Sequence, residues 1–539
     1  MMHIRLISFI LPCAGLLLSV DAQAQKAAKD TLLDRTVVVE QEYAPELLDA
    51  SKINVLPDVE APTAAKTNIQ YLTTPQPASA FGDYQALPPY SLAEKPVRID
   101  RGYIRAGYGS RGNLDARLSY LFRLGEKDRL GLWAAIDGMN GRLRFPDAGR
   151  HTQHAYHTTA ALDYRHRFQA CEMDLAGQWG LDNFSLHPDY ALTHQRFASG
   201  GVHARVKSTR ADKPLHYEAE TNWNVFSRRH EWTGVGNEEV ASTEHHVRTE
   251  AILSSPIDKH QQVGLKLAMH NLLYSRHGST DHTTWQLNPF YEWNADRWRL
   301  HAGVSLDGSI GWGKALQAAP DVSLHYTPAK GYTLFVEAQG GRLLNDYRRL
   351  AACSPYARLT PGTRPADTYE QVRLEGGLGA SPYPGLHLRL YGGYRNLKDE
   401  VYVTRTLVFG QENGDEAYAG LSAEFNYKDV LMLSVKGVYH HWNLCDEALA
   451  FRPDAEVEAG LRLQPIRALY VQVDYRYAHP QRSEGEALAH DLSAEASYRV
   501  YRQLGVFVRL GNLLNRTYCL TWERPVQGFH LLAGLSYRF

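Results

Sequence analysis

Apolar and polar side chains alternate with a period of two along most of the chain after residue 100. In "LHYEAETNWNV", Leu215, Tyr217 and Trp223 fall on one face of a strand, and Glu218 and Glu220 fall on the other. We find about 22 such segments of about ten residues, the length with which a tilted strand crosses a bilayer. Each strand is therefore predicted to have one apolar face and one wet face.

The links between these segments alternate in length. Tight links lie at residues 125–128, 169–170, 209–214, 256–259, 294–297, 328–330, 381–384, 428–429, 465–467 and 502–503. Longer links include residues 138–154, 181–197, 227–244, 341–368, 395–416 and 512–528. Outer-membrane barrels alternate short periplasmic turns with long external loops, whereas β-sandwiches follow no such rule. The sequence therefore predicts an all-β fold, a closed transmembrane antiparallel β-barrel of about 22 strands over residues 101–539. Within it, Pro289 predicts a bulge in its strand.

Both ends of the chain support export to a membrane. Residues 1–24 have a basic start, an apolar run and the small-residue site Ala22-Gln23-Ala24, which predict a cleaved signal peptide. No later run reaches the ~18 apolar residues that a spanning helix needs. The chain finishes in mid-strand, which a closed barrel tolerates because it has no open edge. One face of that final strand carries Phe529, Leu531, Leu535, Tyr537 and Phe539.

The composition fits the cell outer membrane and sets other classes aside. The chain has 43 Gly and 32 Tyr and yet a mean hydropathy of −0.40, as expected of strands with lipid on one side and a polar lumen on the other. The 58 basic and 59 acidic residues leave no basic field for nucleic acid. Residues 25–100 are rich in Pro, Ala and Thr and are predicted to be an extended periplasmic or lumenal segment.

Charged residues of both signs fall on the predicted wet face of the strands. No GxSxG or other nucleophile signature accompanies them, so no enzyme is predicted and no catalytic residue is assigned. This predicted lumen wall comprises Asp115, Arg117, Glu172, Asp174, Glu218, Glu220, Arg248, Glu250, Glu456, Glu458 and Arg462.

Histidines and cysteines give no metal or cofactor site. The pairs His245-His246 and His440-His441 lack a CxxC or HExxH context and are predicted to be polar loop residues. Cys353, Cys445 and Cys519 fall on predicted external loops, where the sequence leaves a disulfide open.

The last segment resembles the C-terminal end of TonB-dependent receptor barrels. The likeness rests on "NLLNRTY" (Asn512 to Tyr518), on "PVQG" (Pro525 to Gly528) and on the final aromatic strand. The resemblance implies a barrel of about 22 strands, for which outer-membrane lipids and the barrel-assembly machinery are the expected partners. It also implies a plug of well over a hundred residues, for which the stretch before residue 101 has neither length nor motifs. "RTVVVE" (Arg35 to Glu40) resembles the box with which such receptors pair with the energy transducer, and is equally an ordinary β-prone hexamer.

Two functions are compatible with a wide barrel without that plug. One is transport of a polar solute across the outer membrane, with the mixed-charge wall as the selectivity surface. The other is a structural or accessory role in a larger outer-membrane complex, docked to outer-membrane partner proteins. The lumen must be filled in either case, and the candidates are residues 25–100, the long loop at residues 341–368, or a partner protein.

Overall fold

A computed structural model describes residues 100–539, apart from residues 146–147, 190–192, 211–212, 232–239, 276–279, 360–363, 429, 481–488 and 520–523. The predicted signal peptide, nearly all of the segment 25–100 and the "RTVVVE" stretch lie outside the described residues. The described strands all belong to one barrel.

The barrel is a single antiparallel sheet of 22 strands in which each strand pairs with its neighbours in sequence and β1 pairs with β22. This confirms the predicted closed all-β fold. The strands are β1 Gly102–Gly109, β2 Leu114–Arg123, β3 Asp128–Phe145, β4 Gly149–Arg167, β5 Cys171–Ser185, β6 His194–Ser208, β7 His216–Glu231, β8 Val240–Pro256, β9 Gln261–Ser275, β10 His282–Asn294, β11 Trp298–Ile310, β12 Leu316–Ala329, β13 Tyr332–Leu343, β14 Thr368–Ala380, β15 Leu386–Val403, β16 Phe409–Tyr427, β17 Leu431–Asn443, β18 Pro453–Ile466, β19 Leu469–Pro480, β20 Ala489–Tyr501, β21 Leu504–Gly511 and β22 His530–Arg538.

Helical structure is confined to the links. Helix α1 (Tyr347–Cys353) lies between β13 and β14, helix α2 (Asp446–Leu449) lies between β17 and β18, and a 3-10 turn (Ser110–Gly112) joins β1 to β2. Among the described residues no helix is long and apolar enough to cross a membrane.

The barrel closes where the first strand meets the last. Seven residue pairs, from Tyr103↔Arg538 to Gly109↔Leu532, form this seam. The Phe539 carbonyl oxygen accepts from the backbone N–H of Arg101 and of Gly102, both at 2.8 Å. A Cβ at residue 102 would lie 2.4 Å from the Phe539 ring, so the close packing of the terminal ring requires glycine there.

The tight turns lie where the sequence predicts them, but two of the long links are mostly strand. β3 and β4 run to Phe145 and from Gly149, so most of the link predicted at residues 138–154 is paired. β15 and β16 likewise replace most of the link predicted at residues 395–416. The apolar alternation stops in these stretches because they have no lipid to face, while the backbone ladder continues.

The bulge predicted at Pro289 is wrong. Leu287 pairs with Leu306 and Phe290 with Gly303, which is the same register on both sides of the proline. Pairing with β11 is interrupted at Asn288 and Pro289, whereas pairing with β9 is continuous through both residues. The strand therefore accommodates the missing N–H as a local gap in one ladder, with no extra residue inserted.

Candidate functional site

The link between β13 and β14, residues 344–367, contains α1, and its described residues (344–359 and 364–367) fold against the sheet. Asp346 caps the helix by accepting from the Arg349 N–H at 2.8 Å. Tyr347 and Leu350 are spaced i and i+3 and lie on one side of the helix, where both are buried. We call residues 344–367 the inward loop.

The inward loop has an apolar core of its own. Tyr347, Leu350 and Leu359 pack against Phe197 of β6, Phe226 of β7 and, across the lumen, Val401 of β15. Leu350 is 0% exposed. The phenylalanine rings of the wall form a stack, with Phe197 at 5.4 Å from Phe226 and at 5.1 Å from Phe184. Burial of this kind is the dominant favourable term in folding, so the loop is held mainly by its apolar side chains.

Polar contacts fix the inward loop on the side of β5 to β8. The Arg228 guanidinium donates to the Ala357 carbonyl at 2.7 Å, and the Tyr347 N–H donates to the Glu244 carboxylate at 3.0 Å. Arg228 and Glu244 are both buried. Buried groups of this kind are costly to leave unpaired, so each contact specifies the docked position.

A second set of contacts fixes the loop on the side of β15 and β16. Arg349 pairs with Glu400 at 3.4 Å, and Glu400 also accepts from Arg452 at 2.8 Å. The Arg358 N–H donates to the Leu407 carbonyl at 2.7 Å, which forms a parallel bridge to the next residue, Val408. The loop is therefore attached to two separated arcs of the barrel.

The root of the loop is a buried charge cluster. Arg364 donates to the Asn345 carbonyl at 3.0 Å and lies 3.4 Å from the Asp367 carboxylate, and the Asn345 N–H donates to Asp367 at 3.1 Å. His282 of β10 lies 3.6 Å from the same carboxylate. Burial opposes ionisation of Asp367, but the hydrogen bond with His282 and the charge of Arg364 more than offset it and hold its pKa below the ordinary value.

The pKa values of two other loop side chains, Asp346 and Cys353, are shifted from their ordinary values. Burial also opposes ionisation of Asp346, yet its hydrogen bonds with His246 and with the Arg349 N–H hold its pKa below the ordinary value. Burial raises the pKa of the Cys353 thiol. The low carboxylate pKa values mean that the loop is docked with both aspartates charged.

These contacts identify the inner face of the barrel. A single loop contacts side chains of β6, β7, β8 and β15, which only the interior of a closed sheet allows. The opposite face carries exposed apolar residues such as Leu162, Val202 and Leu390. That outer face has the chemistry of a surface in contact with lipid.

A chamber of about 690 Å³ lies between the inward loop and the wall formed by β3 to β7 at the end of the barrel that carries the longer links. We call it the upper chamber. Aromatic rings line it from both sides, and charged groups are placed among them: its side chains include Phe145, His157, Asp182, Phe184, Phe197, Phe226, Arg348, Tyr356 and Arg524. Its volume is in the range of small-molecule sites.

The charged residues predicted from the sequence fall into three places on the sheet. At the seam, Asp115 is 1% exposed and pairs with Arg105 at 3.2 Å, Arg117 at 3.1 Å and Arg509 at 2.8 Å. Arg105 reaches Glu495 of β20 at 2.6 Å and lies 3.6 Å from the centre of the Phe507 ring.

The second place is the wall of β4 to β9, below the inward loop. Glu218 pairs with Arg205 at 2.8 Å and with Lys207 at 3.2 Å. Further ion pairs there join Glu172 to Arg165 and Arg167, Asp174 to Arg165, and Glu250 to Arg248 and Lys266. Glu220 lines a polar cavity of about 330 Å³ with Glu244, His246, Arg248, Asp346 and Arg348.

The third place is the wall of β15 to β20. A cleft of about 520 Å³ there is lined by Arg389, Glu424, Lys436, Glu458, Asp474 and Arg476. Glu458 lies 3.8 Å from Arg476, with both side chains exposed, and Arg462 contacts the Met432 sulfur. Glu456 is opposite Val438 and Ala478 in the ladder. The structure therefore distributes the predicted residues along the wall and does not gather them at one site.

The aromatic face of β22 is exposed. Phe529, Leu531, Leu535, Tyr537 and Phe539 are between 38% and 57% exposed, whereas Leu532 of the opposite face is buried. The Phe539 ring lies 5.7 Å from Tyr120 and 5.9 Å from Tyr537.

The histidine pairs lie in strands, so the prediction of loop residues is wrong: His245-His246 is in β8 and His440-His441 is in β17, where the backbone ladder runs through both pairs. His246 lies 2.9 Å from His270 and 3.5 Å from Asp346, while His440 contacts Glu416 at 2.6 Å. Within the described ranges no group of three His, Cys, Asp or Glu residues is placed to hold a metal ion. Cys171, Cys353, Cys445 and Cys519 are free thiols.

The residues that hold the inward loop are absent from the predicted set. Arg228, Glu244, Arg364 and Asp367 act through partners far away in sequence, which a strand pattern cannot show. A local signal exists only for α1, because Asp346 precedes apolar residues at helical spacing.

No protein-family model and no curated protein matches the sequence. Solved structures do match. A mutant of the ferric enterobactin receptor PfeA of Pseudomonas aeruginosa, in complex with enterobactin, superposes with a TM-score of 0.63 at 11% identity over 81% of each chain. The copper transporter OprC gives 0.60 at 14% identity, over 82% of this chain and 80% of its own. The ferric-catecholate import receptor Fiu of K12 E. coli gives 0.61 at 11% identity over 82% of each chain. The chain thus has the 22-strand barrel fold of TonB-dependent receptors.

Proposed function

We propose that the chain is a non-enzymatic outer-membrane transporter of a polar solute. The observation that carries the proposal is the inward loop, which divides the lumen and leaves the upper chamber beside it. Barrels of about 22 strands are wide enough to need an internal obstruction. A barrel with a purely structural role does not require an inward loop held by buried charged contacts. It also does not require a chamber of the size of a small molecule beside that loop.

The chemistry of the wall supports a polar solute without a large net charge. Acidic and basic side chains of the lumen wall form ion pairs, and the upper chamber combines aromatic rings with Asp182, Arg348 and Arg524. Rings bind the apolar faces of a solute, while the charged groups orient its polar edges. These residues, together with the predicted lumen wall, form the proposed selectivity surface.

We further propose that the inward loop and residues 25–100 together close this barrel, after removal of the signal peptide at residues 1–24. The support is that the loop already docks on both sides of the lumen. Residues 25–100 are rich in proline, as expected of an extended segment that can thread a lumen.

Bilayer conductance tests the proposal. The full chain is purified from its native membrane in mild detergent and compared with two variants, one lacking residues 25–100 and one with residues 346–359 replaced by a short Gly-Ser link. We expect a low conductance for the full chain and a rise in each variant, largest for the loop replacement. Stable co-purifying proteins with no conductance in any of the three forms would reject transport and favour the structural role.

We also propose that the final strand is the signal by which the barrel-assembly machinery inserts the chain. The support is that its aromatic face is exposed and remains available at the seam. Deleting Phe539 should lower the amount of membrane-inserted protein severalfold, whereas Phe529→Ala, at the other end of the same face, should not. Equal insertion of the two variants would make Phe539 an ordinary interfacial aromatic.

A further inference from the structure

The β3–β4 hairpin extends beyond both neighbouring strands at the extracellular end of the barrel. The last pair of β2 with β3 is Leu114↔Gly138, and the last pair of β5 with β4 is Phe184↔Ala155. Pairing between β3 and β4 continues from there to Phe145↔Gly149 without a register shift. We call this two-stranded extension the ribbon.

The two faces of the ribbon differ sharply. Its inner face is packed: Phe145 is 3% exposed, and its ring lies 5.0 Å from that of His187. Its outer face continues the lipid-facing side of Leu132 and carries Arg142, Arg144 and Arg150, all of them exposed.

The three arginines have no acidic partner in the part of the chain that the structure describes. Arg144 and Arg150 are directly opposite each other in the ladder, and like charges in that position destabilise a strand pair. Many arginines of the inner wall, by contrast, are paired with carboxylates, as Arg205 is with Glu218. Among the described residues, the outer face of the ribbon is therefore a basic surface without acidic partners, and an anion would stabilise it.

The distance of this surface above the membrane interface indicates which kind of anionic lipid can reach it. Tyr156, opposite Gly138, is an aromatic residue on the outer face of β4 near the expected interface. With a rise of ~3.4 Å per residue and a tilt of ~40°, Arg142 lies about 10 Å above that tyrosine and Arg144 about 15 Å above it. The headgroup layer of an ordinary bilayer extends only ~5–8 Å beyond the hydrocarbon core. A simple phospholipid phosphate therefore lies below these arginines.

We propose that the outer face of the ribbon binds the phosphorylated saccharide headgroup of an outer-leaflet glycolipid. Guanidinium groups bind phosphate through two parallel hydrogen bonds, and an extended sugar headgroup brings phosphate to the height of the arginines. The proposal is independent of the transport function, because it concerns the outside of the barrel.

A matched pair of variants tests it. Arg144→Gln/Arg150→Gln removes the outward cross-strand pair. Arg123→Gln/Arg129→Gln removes another exposed, directly opposed arginine pair, which lies at the periplasmic end of β2 and β3 and on the inner face. Each form of the full chain is delipidated in neutral detergent and titrated with a phosphorylated bacterial glycolipid in the same micelles. The probe is used alongside its dephosphorylated form and phosphatidylglycerol.

We expect the outward variant to weaken glycolipid binding about 10- to 30-fold at low salt, from the typical contribution of two arginines near an anionic surface. The inner-face variant should bind like the unaltered protein. The dephosphorylated form and phosphatidylglycerol should both bind more weakly, and the affinity of the unaltered protein for the glycolipid should fall as salt rises.

Each opposite result overturns the proposal. The proposed contact between phosphate and the arginines is rejected if the two variants bind the glycolipid equally. It is also rejected if the affinity is unchanged on dephosphorylation of the glycolipid or if it is unchanged as salt rises. Phosphatidylglycerol binding as tightly as the glycolipid would contradict the height argument. Displacement of the glycolipid by soluble polyglutamate at equal charge would point to an acidic protein partner instead. The salt titration needs no variant, so binding that does not weaken as salt rises overturns the proposal even if the substituted chains fail to fold.

Discussion

The upper and lower parts of the lumen are built from different chemistry. In the upper part, the inward loop packs its apolar side chains against the wall and buries Leu350 completely. In the lower part, the wall of β4 to β9 carries ion pairs whose side chains remain partly exposed, such as Arg205 with Glu218. One region resembles the interior of a soluble protein, and the other resembles a solvated surface turned inward.

The difference shows which contacts hold the constriction. A buried leucine contributes several kcal/mol to packing, whereas an exposed ion pair contributes ~0–1 kcal/mol. The many charges of the wall therefore set the local electrostatic potential of the lumen, and the few apolar residues of the loop hold the loop in its docked position.

The largest effect is expected from Leu350→Asp, which places a charge in the apolar core of the inward loop. Truncation of such a residue alone costs about 2–5 kcal/mol, and the buried carboxylate adds to this, so the loop should undock. Hydrogen exchange of the loop amides should speed up and conductance should rise. Ala352→Asp on the exposed side of the same helix is the control, and an equal effect there would show that the helix and not the core had been disturbed.

A smaller effect is expected at the root of the loop. Arg364→Met leaves the Asp367 carboxylate buried with one cation fewer, which should cost about 3 kcal/mol of docking free energy. The double variant Arg364→Met/Asp367→Leu should recover much of this loss, because no uncompensated charge remains. A double variant that exchanges as fast as Arg364→Met would mean that the cluster holds the loop through its hydrogen bonds to Asn345.

Acid should weaken the docked loop only at low pH. The folded pKa values of Asp346 and Asp367 lie below their ordinary value, so the stabilisation is fully present above the unfolded pKa of ~3.9 and is lost as pH falls through the lower folded values. Loop exchange rates, corrected for the intrinsic effect of pH, should rise as pH falls below about 4. A rise that begins near pH 6.5 would assign the change to histidines instead.

The smallest effect is expected in the lower wall. Glu218→Gln removes the partner of Arg205 and of Lys207, yet these side chains are partly exposed, so the barrel should lose at most about 1 kcal/mol. The melting temperature should barely change, while the cation-to-anion permeability ratio should fall. A large drop in melting temperature would show that the wall is packed more like the loop core than its exposure indicates.

The barrel was predictable because every strand repeats the same physical constraint. Lipid on one side and water on the other impose the period-two pattern, and residues such as Leu162 and Val202 do lie on the exposed apolar face. The period-two apolar pattern stops at the ribbon of β3 and β4. The sequence therefore predicts a link there, although the backbone ladder continues.

The constriction was less predictable. The sequence indicates that the link at residues 341–368 is one candidate for filling the lumen, and the Asp346 cap is a local signal for α1. Its docking depends on contacts such as that of Arg228 with Ala357, which are separated by 129 residues. No periodicity encodes a contact of that kind, since it arises only when the sheet closes.

The tether at both ends of the inward loop has a kinetic consequence. A segment fixed to the barrel meets its own docking wall at an effective concentration in the millimolar range, which a diffusing competitor rarely reaches. Re-docking of a displaced loop is therefore an intramolecular step. A soluble copy of residues 344–367 would be a poor inhibitor for the same reason.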